Sequence, residues 1–437
     1  MLAGLPPEAR DAVERLTLSN KKGRICAVGG TVRDLLLGRP LVDVDLAIEA
    51  DAIDAVRAAF PSARVTAHNR FRTASLTVDG VRIDVATARI ETYARPGALP
   101  KITQADIETD VRRRDFTVNA IALRIDGEAA LIDPCGGIDD LRARRIRVLH
   151  DASFRDDATR IFRAFRYAAR LGFTIDPRTR TLINDGVAHI AQIGGERLRR
   201  ELELLIEEET GAAALEACDT AGALHAIHPA LRWTPAASPA TLTEPVSPSP
   251  QSWRAVALAR PALSRGPVGG RRVRCGFALL AAAASPDDAA AIIARLKLKR
   301  GEAAAVTGIA ALRNAAATLA RPGAKPSGVV VLLDRYPEES VAAFAATHSR
   351  AIAGRLALRY LAEWRDVKPT LNGRDLLAMG VPEGPHVHQG LQLLRAARLD
   401  GWADDRDDER ALIMRFAKSI RDSSTMSAPV KLHLNGE

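Results

Sequence analysis

The stretch that decides the reading is Gly29-Gly30-Thr31-Val32-Arg33-Asp34-Leu35-Leu36-Leu37-Gly38-Arg39-Pro40-Leu41-Val42-Asp43-Val44-Asp45-Leu46-Ala47. The apolar run just before it, residues 24–28, predicts a short strand. A helix is predicted from Thr31 to about Leu37, closed by Gly38. Residues 42–46 alternate apolar and acidic side chains, which predicts a second strand. On that strand Asp43 and Asp45 share one face, while Val42, Val44 and Leu46 point the other way into a core. Two adjacent carboxylates repel unless a cation sits between them, and Mg²⁺ is the usual one. Strand, Gly-Gly, helix is also a layout for holding phosphate. Glycines let the backbone approach closely, a helix start favours anions, and Arg33 in the first turn can fork onto phosphate oxygens.

A third carboxylate comes from further along. Leu76-Thr77-Val78, Asp79-Gly80, Val81-Arg82-Ile83 predicts a hairpin, because Asp-Gly suits a type I′ turn. Val81, Ile83 and Val85 would face a core, which leaves Asp84 on the polar face of a neighbouring strand. Residues 141–234 look helical, 235–270 are rich in Pro, Ser and Ala, and the chain from Gly276 is Ala/Leu-rich and helical. No internal repeat is evident.

Charge and composition narrow the function. The 437 residues carry 62 Lys+Arg against 53 Asp+Glu, a formal charge of +9. Residues 141–200 hold 14 Arg, no Lys and 6 acids, almost the whole excess. Concentrated Arg predicts a polyphosphate partner, nucleic acid or nucleotide. Aromatic residues make up 4%, which argues against a stacking platform for single strands. Cys26, Cys135, Cys218 and Cys275 lie far apart with no CxxC pair, so neither a zinc ribbon nor a disulfide scaffold is expected. The start, MLAGLPPEARDAVERL, carries acids where a signal peptide is apolar, and no apolar run is long enough for a membrane span. A cytoplasmic, reduced protein is the expectation.

With these residues in place, the chain resembles class II tRNA nucleotidyltransferases, the CCA-adding enzymes and their bacterial poly(A) polymerase relatives. Gly29–Gly38 followed by Asp43-Val44-Asp45 is similar to their nucleotidyl-transfer block. In order come Arg113-Arg114-Asp115-Phe116-Thr117-Val118-Asn119-Ala120, resembling RRDFTxNA, and Asp133-Pro134-Cys135-Gly136-Gly137-Ile138-Asp139-Asp140, resembling DPxGGxxD. Asp156-Asp157-Ala158-Thr159-Arg160 and its continuation to Tyr167 resemble EDxxRxxRAxRF, with Asp156 where the family has Glu. Glu196-Arg197-Leu198-Arg199-Arg200-Glu201-Leu202 resembles the ERxxxEL segment. Near the C-terminus, Leu371-Asn372-Gly373-Arg374-Asp375-Leu376-Leu377 looks like the tRNA-facing tail, with His388 where Gly is frequent.

The resemblance implies an α+β protein. A polymerase-beta-like α/β head (1–140) would be followed by an all-α neck (141–210), body (211–340, with the loop 235–270) and tail (341–421), and by a disordered end (422–437). It implies template-independent addition of CMP and AMP to the tRNA 3′ end from CTP and ATP. Asp43 and Asp45 would hold two Mg²⁺ with Asp84 assisting, in a transfer that releases pyrophosphate, and Gly30 and Arg33 would bind phosphates with Arg114 beside them. Asp157 and Arg160 would read the base, supported by Arg163 and Arg166. The logic is chemical: a carboxylate accepts from the exocyclic amine of C or A, and a guanidinium donates to the ring nitrogen. The bare spacing also allows a plainer role, in which Asp156-Asp157 cap a helix ended by Gly172 and Asp157 pairs with Arg160 three residues on. Steps of three turn Arg166 well away from Asp157. Asp133 and Asp140 are expected to fix a turn rather than do chemistry. The loop Tyr93-Ala94-Arg95-Pro96-Gly97-Ala98-Leu99-Pro100 resembles that of some A-adding members. Three alternatives to CCA addition stay open: A addition only, poly(A) synthesis, or a non-catalytic RNA-binding module. No protein partner is inferable.

Overall fold

The computed structural model describes residues 5, 7–20, 23–41, 43–92, 101–233, 268–349 and 351–424. Val42, the loop 93–100, residues 234–267 of the expected loop, and the end from 425 lie outside the described residues. The chain divides into two compact units, Met1–Trp233 with Ala294–Leu298, and Thr234–Ile293 with Lys299–Glu437.

In the first unit the strands up to residue 132 are β1 (Ile25–Val28), β2 (Asp43–Ile48), β3 (Thr66–His68), β4 (Thr73–Val78), β5 (Val81–Thr87), β6 (Arg89–Thr92), β7 (Lys101–Gln104), β8 (Ala122–Arg124) and β9 (Leu131–Ile132). Seven of them form one sheet in the order β3-β4-β5-β2-β1-β8-β9, and β6 and β7 pair separately. The four residues of β1, Ile-Cys-Ala-Val, are all buried, as a central strand requires. In β2, Val44 and Leu46 are buried while Asp43 is exposed and Asp45 half-buried, which is the alternation the sequence predicts. The hairpin between β4 and β5 turns at Asp79 and Gly80, with φ of 47° and 87°. A type I′ turn needs this positive pair, and its twist suits the flanking strands.

Helices α1 (Pro7–Ser19), α2 (Gly30–Leu36), α3 (Ala52–Ala59), α4 (Ile107–Arg112) and α5 (Gly137–Arg142) accompany the sheet. They are followed by α6 (Ser153–Asp156), α7 (Thr159–Leu171), α8 (Pro177–Gly186) and α9 (Gly195–Glu207). No break separates residues 1–140 from 141–210. Phe116 bridges to Val148 across the expected boundary, and Thr117 N–H donates to Arg147 O at 2.9 Å. Asp140, fully buried, accepts from Thr117 Oγ1 at 2.6 Å and pairs with Arg145 and Arg147. Asp133 accepts from the N–H groups of Gly137 and Ile138 at the start of α5. Both aspartates are therefore structural. Phe116, Phe154, Phe162 and Phe165 are fully buried, each worth about 1.5–3 kcal/mol of burial.

The second unit is helical. Val329, Leu333, Val341, Phe344, Tyr360 and Trp364 share one core with Cys275 and Leu312. A separate core, with Leu371, Leu376, Leu394, Ile413 and Phe416, begins only after it. Packing thus puts the change from body to tail near residue 370, not at 341, because residues 341–364 bury their apolar side chains with the body. Cys26, Cys218 and Cys275 are buried and Cys135 is half-buried, as small core residues are. No described helix is long and apolar enough to cross a membrane.

Candidate active site

The acidic end of the site is set by strand pairing. β2 and β5 run parallel, with Asp43 opposite Arg82 and Asp45 opposite Asp84. All three carboxylates therefore lie on one face of two neighbouring strands. The Asp45 N–H donates to Thr31 Oγ1 at 2.8 Å, tying β2 to α2. Burial pushes the Asp45 carboxyl up to about 6, with Asp43 adding repulsion, Arg114 opposing it and Asp84 adding more. Asp84 is already engaged: Arg82 Nε lies 3.0 Å from it, and the Ser75 hydroxyl donates to it. Among the described residues no three His, Cys, Asp or Glu side chains form a ready metal cage. Two carboxylates, one of them held near neutrality by crowding, fit a Mg²⁺ ion whose remaining ligands are substrate phosphates and water.

Asp45 opens onto a cleft of about 540 Å³ in the first unit. Gly29 and Gly30 form its floor beside Asp45. Gly29 has φ 63°, which favours glycine, and a Cβ there would lie 2.6 Å from Arg114 Nη1, so that guanidinium would have to shift. Arg114 is aimed by Asp110, which is 1% exposed and also pairs with Arg113. Opposite, α7 presents Arg160, Arg163 and Tyr167. These are steps of three and four, which keep one helix face, whereas Arg166 has turned off it.

The aspartates of this half are each held by an arginine. Asp115 accepts from Phe116 N–H and Asn119 Nδ2 on Oδ1, and twice from Arg163 on Oδ2, at 2.8 and 2.5 Å. Burial would raise its pKa, but Arg163 and Asn119 outweigh that and hold it down at about 2. Asp157 accepts from the N–H and hydroxyl of Thr159 and, at 2.7 Å, from Arg197 Nη2. Arg160, 7% exposed, donates to Ser153 Oγ at 2.7 Å and to Arg113 O at 3.0 Å.

A Poly A polymerase head domain matches residues 25–147, and the probable RNA and SrmB- binding site of polymerase A matches residues 172–234. The CC-adding tRNA nucleotidyltransferase of Deinococcus radiodurans is 32% identical over 408 residues, 91% of this chain and 92% of that protein. The chain belongs to the tRNA nucleotidyltransferase family. The A-adding tRNA nucleotidyltransferase of Geobacter sulfurreducens is 32% identical over 412 residues, 90% of this chain, but the chain spans only 45% of that relative's length. Among solved structures, the Thermotoga maritima CCA-adding enzyme complexed with tRNA superposes with a TM-score of 0.73 at 26% identity, covering 96% of this chain and 97% of that one.

Within this tRNA nucleotidyltransferase fold, Gly30, Asp45, Arg114, Asp157, Arg160 and Arg163 line the same cleft. Asp43 and Asp84 stand beside Asp45 on the sheet. Two expected residues sit elsewhere. Arg33 is 3% exposed, pairs with Asp34 at 2.7 Å and donates to Asn119 Oδ1 at 2.6 Å, so it holds α2 in place rather than reaching into the cleft. Arg166, 7% exposed, faces Glu201 at 3.9 Å and Glu208 at 3.5 Å. The expected Asp157–Arg160 helix pair is also absent. Asp157 lies in the break between α6 and α7, with φ −146° and ψ 96°, and turns to Arg197 instead. The cleft also contains residues not singled out as site residues from the sequence: Glu91, Arg113, Asn119, Tyr167, Arg197 and Glu201. Arg197 and Glu201 are four apart in the ERLRREL run, one face of α9, which was the available signal.

Proposed function

We propose that the cleft transfers nucleotides to the 3′ end of tRNA, completing CCA from CTP and ATP. The observation that carries the reading is the two-ended cleft itself. Open carboxylates on the sheet stand at one end, and an acceptor–donor pair, Asp157 with Arg160, stands at the other. A nucleoside triphosphate has matching ends, with phosphates to be neutralised and a base to be read.

Asp43 and Asp45 would hold Mg²⁺. When bound, the ion lowers the pKa of the attacking hydroxyl and neutralises the triphosphate. The tRNA 3′-oxygen forms a bond to the α-phosphorus, the bond to the bridging oxygen of pyrophosphate breaks, and the hydroxyl proton is released. Arg114, aimed by Asp110, faces the phosphates from beside Gly29 and Gly30. Asp157 retains acceptor capacity for an exocyclic amine, and Arg160 has two hydrogen bonds among the described residues, from a guanidinium with five N–H donors, so a ring nitrogen can take another. C and A present that pattern, while G and U invert it. The Arg-rich helices supply the positive surface that a tRNA backbone needs.

A addition only is the second reading, favoured by the wording of residues 93–100 and by the A-adding Geobacter relative. Incubation with tRNAs ending at the discriminator base, at C and at CC, with each nucleotide alone and together, separates the two. Extension of all three substrates to CCA supports the first reading. Extension of the CC-ending tRNA alone, by one A, supports the second. Unlimited growth with ATP would indicate poly(A) synthesis, and no incorporation would overturn transfer altogether.

A further inference from the structure

Glu201 lies on α9, one turn beyond Arg197, and lines the cleft. It is 9% exposed. Its Oε2 is buried without a hydrogen-bond partner among the described residues, and Arg166 Nη2 stands off at 3.9 Å. An acceptor left this way costs about 1–3 kcal/mol, more for a charged group, so its retention calls for a donor from outside the protein.

The other carboxylates of this half differ. Asp115 has four hydrogen bonds, which fill its acceptor capacity, and Asp157 has three. Phosphate oxygens at neutral pH offer no donor, so the phosphate end of a nucleotide cannot serve Glu201. The donors of a nucleoside triphosphate are its ribose hydroxyls and the exocyclic amine of its base.

We propose that Glu201 is a nucleotide-contacting, specificity-determining residue whose Oε2 accepts a hydrogen bond from an O–H or N–H of the nucleoside part of the incoming nucleotide. This rests on the reading of the cleft as a nucleotide site. The Glu201 carboxyl is raised above its usual range by burial, against the opposing pull of Arg163 and Arg166, as expected of a charge short of donors. A charged acceptor at this place discriminates by being left empty when the donor is missing.

The test is Glu201→Gln, with binding and KM measured for CTP, 2′-deoxy-CTP and the 4-desamino analogue of CTP, together with Tm. The variant should weaken CTP roughly tenfold or more, and leave unchanged the affinity for whichever analogue lacks the contacted donor. Collapse of the effect with 2′-deoxy-CTP identifies the ribose hydroxyl, and collapse with the desamino analogue identifies the amine. Equal weakening of all three, or of none, overturns the proposal and leaves a structural partner of Arg166. If the Gln variant does not fold, Glu201→Asp keeps the charge but withdraws it by one methylene, and the same pattern is required of it. A wild-type chain that binds none of the three overturns this proposal together with the transfer reading. Wild-type binding without the pattern overturns this proposal alone.

Discussion

Asp45 and Asp115 line one cleft, the first half-buried and the second buried, and their acidities move in opposite directions. Asp45 rises to about 6, because burial raises it and its neighbours on the strand face, Asp43 and Asp84, add to the rise. Asp115 falls to about 2, because Arg163 grips one oxygen and Asn119 with a backbone N–H the other. Burial acts alike on both, so the sign is decided by the company each keeps. The lesson is functional. The helical end brings its own cations, whereas at the sheet end Arg82 and Arg114 only partly offset three carboxylates, which leaves negative charge for a group from outside to neutralise.

The sharpest way to break this contrast is Asp45→Asn. It should reduce nucleotide incorporation by about a thousandfold or more, several kcal/mol of transition-state stabilisation. Its Tm at pH 7 should stay the same or rise, since a crowded charge is removed. The sign follows from linkage. With a raised folded pKa, wild-type stability falls as pH rises from about 4 through about 6, and the variant should lack that slope. Added Mg²⁺ should raise the Tm of wild type but not of the variant. Near-normal turnover in Asp45→Asn would end the assignment.

Asp115→Asn probes the opposite end. Loss of the charge-assisted bonds to Arg163 should cost about 2 kcal/mol, a Tm decrease of roughly 4–8 °C. Because the folded pKa is depressed, wild type should hold its advantage above the free carboxylate value of 3.8 and lose it as pH falls towards about 2. A constant Tm gap from pH 7 down to pH 2 would mean that the ion pair is not its source.

Asp157→Ala sharpens the comparison by asking whether a carboxylate already held by Thr159 and Arg197 also reads a base. Each lost base contact should remove about 1–3 kcal/mol of discrimination, so CTP and ATP should lose kcat/KM while UTP and GTP change little. A uniform loss across the four nucleotides that tracks a lower Tm would point instead to the Thr159 and Arg197 contacts as its whole purpose. The smallest effect is expected from Arg82→Ala. Arg82 is 61% exposed in its side chain and pairs with Asp84, so its loss should change stability by less than about 1 kcal/mol. Mg²⁺ should bind a few-fold more tightly once that cation is gone, as read by the Tm rise against Mg²⁺ concentration. Weaker Mg²⁺ binding would mean that Arg82 holds Asp84 in a useful place.

Much of the sheet end was legible, because it rests on local rules. The period of a strand places Asp43 and Asp45 together, Asp79-Gly80 makes the turn, and the turn brings Asp84 alongside. The helical end was legible only in part. Spacing of three predicts helix neighbours, but Asp157 falls before α7 begins, where it accepts from the N–H of Thr159 as the plainer capping role has it, and the turn of its other oxygen to Arg197, 40 residues away, is known only from the fold. Arg33 fits a phosphate ligand by position. What removes it from the cleft is Asn119, 86 residues away, and such a partner is known only from the fold. Asp133 and Asp140 around their glycines were assigned to structure from the sequence, and their bonds agree. Ala- and Leu-rich helices look alike whichever core they join, so the sequence does not say that residues 341–364 pack with Leu312 and Val329.

The pairing of Asp45 with Asp84 across two parallel strands makes the site sensitive to the parity of the chain. One residue inserted into β2 or β5 would invert every side chain beyond it, sending carboxylates into the core and valines to the solvent. Two residues would shift the ladder but keep the faces. Length variation within these strands is therefore confined to even steps, and odd ones must be absorbed in the turn at Asp79-Gly80 or in a bulge.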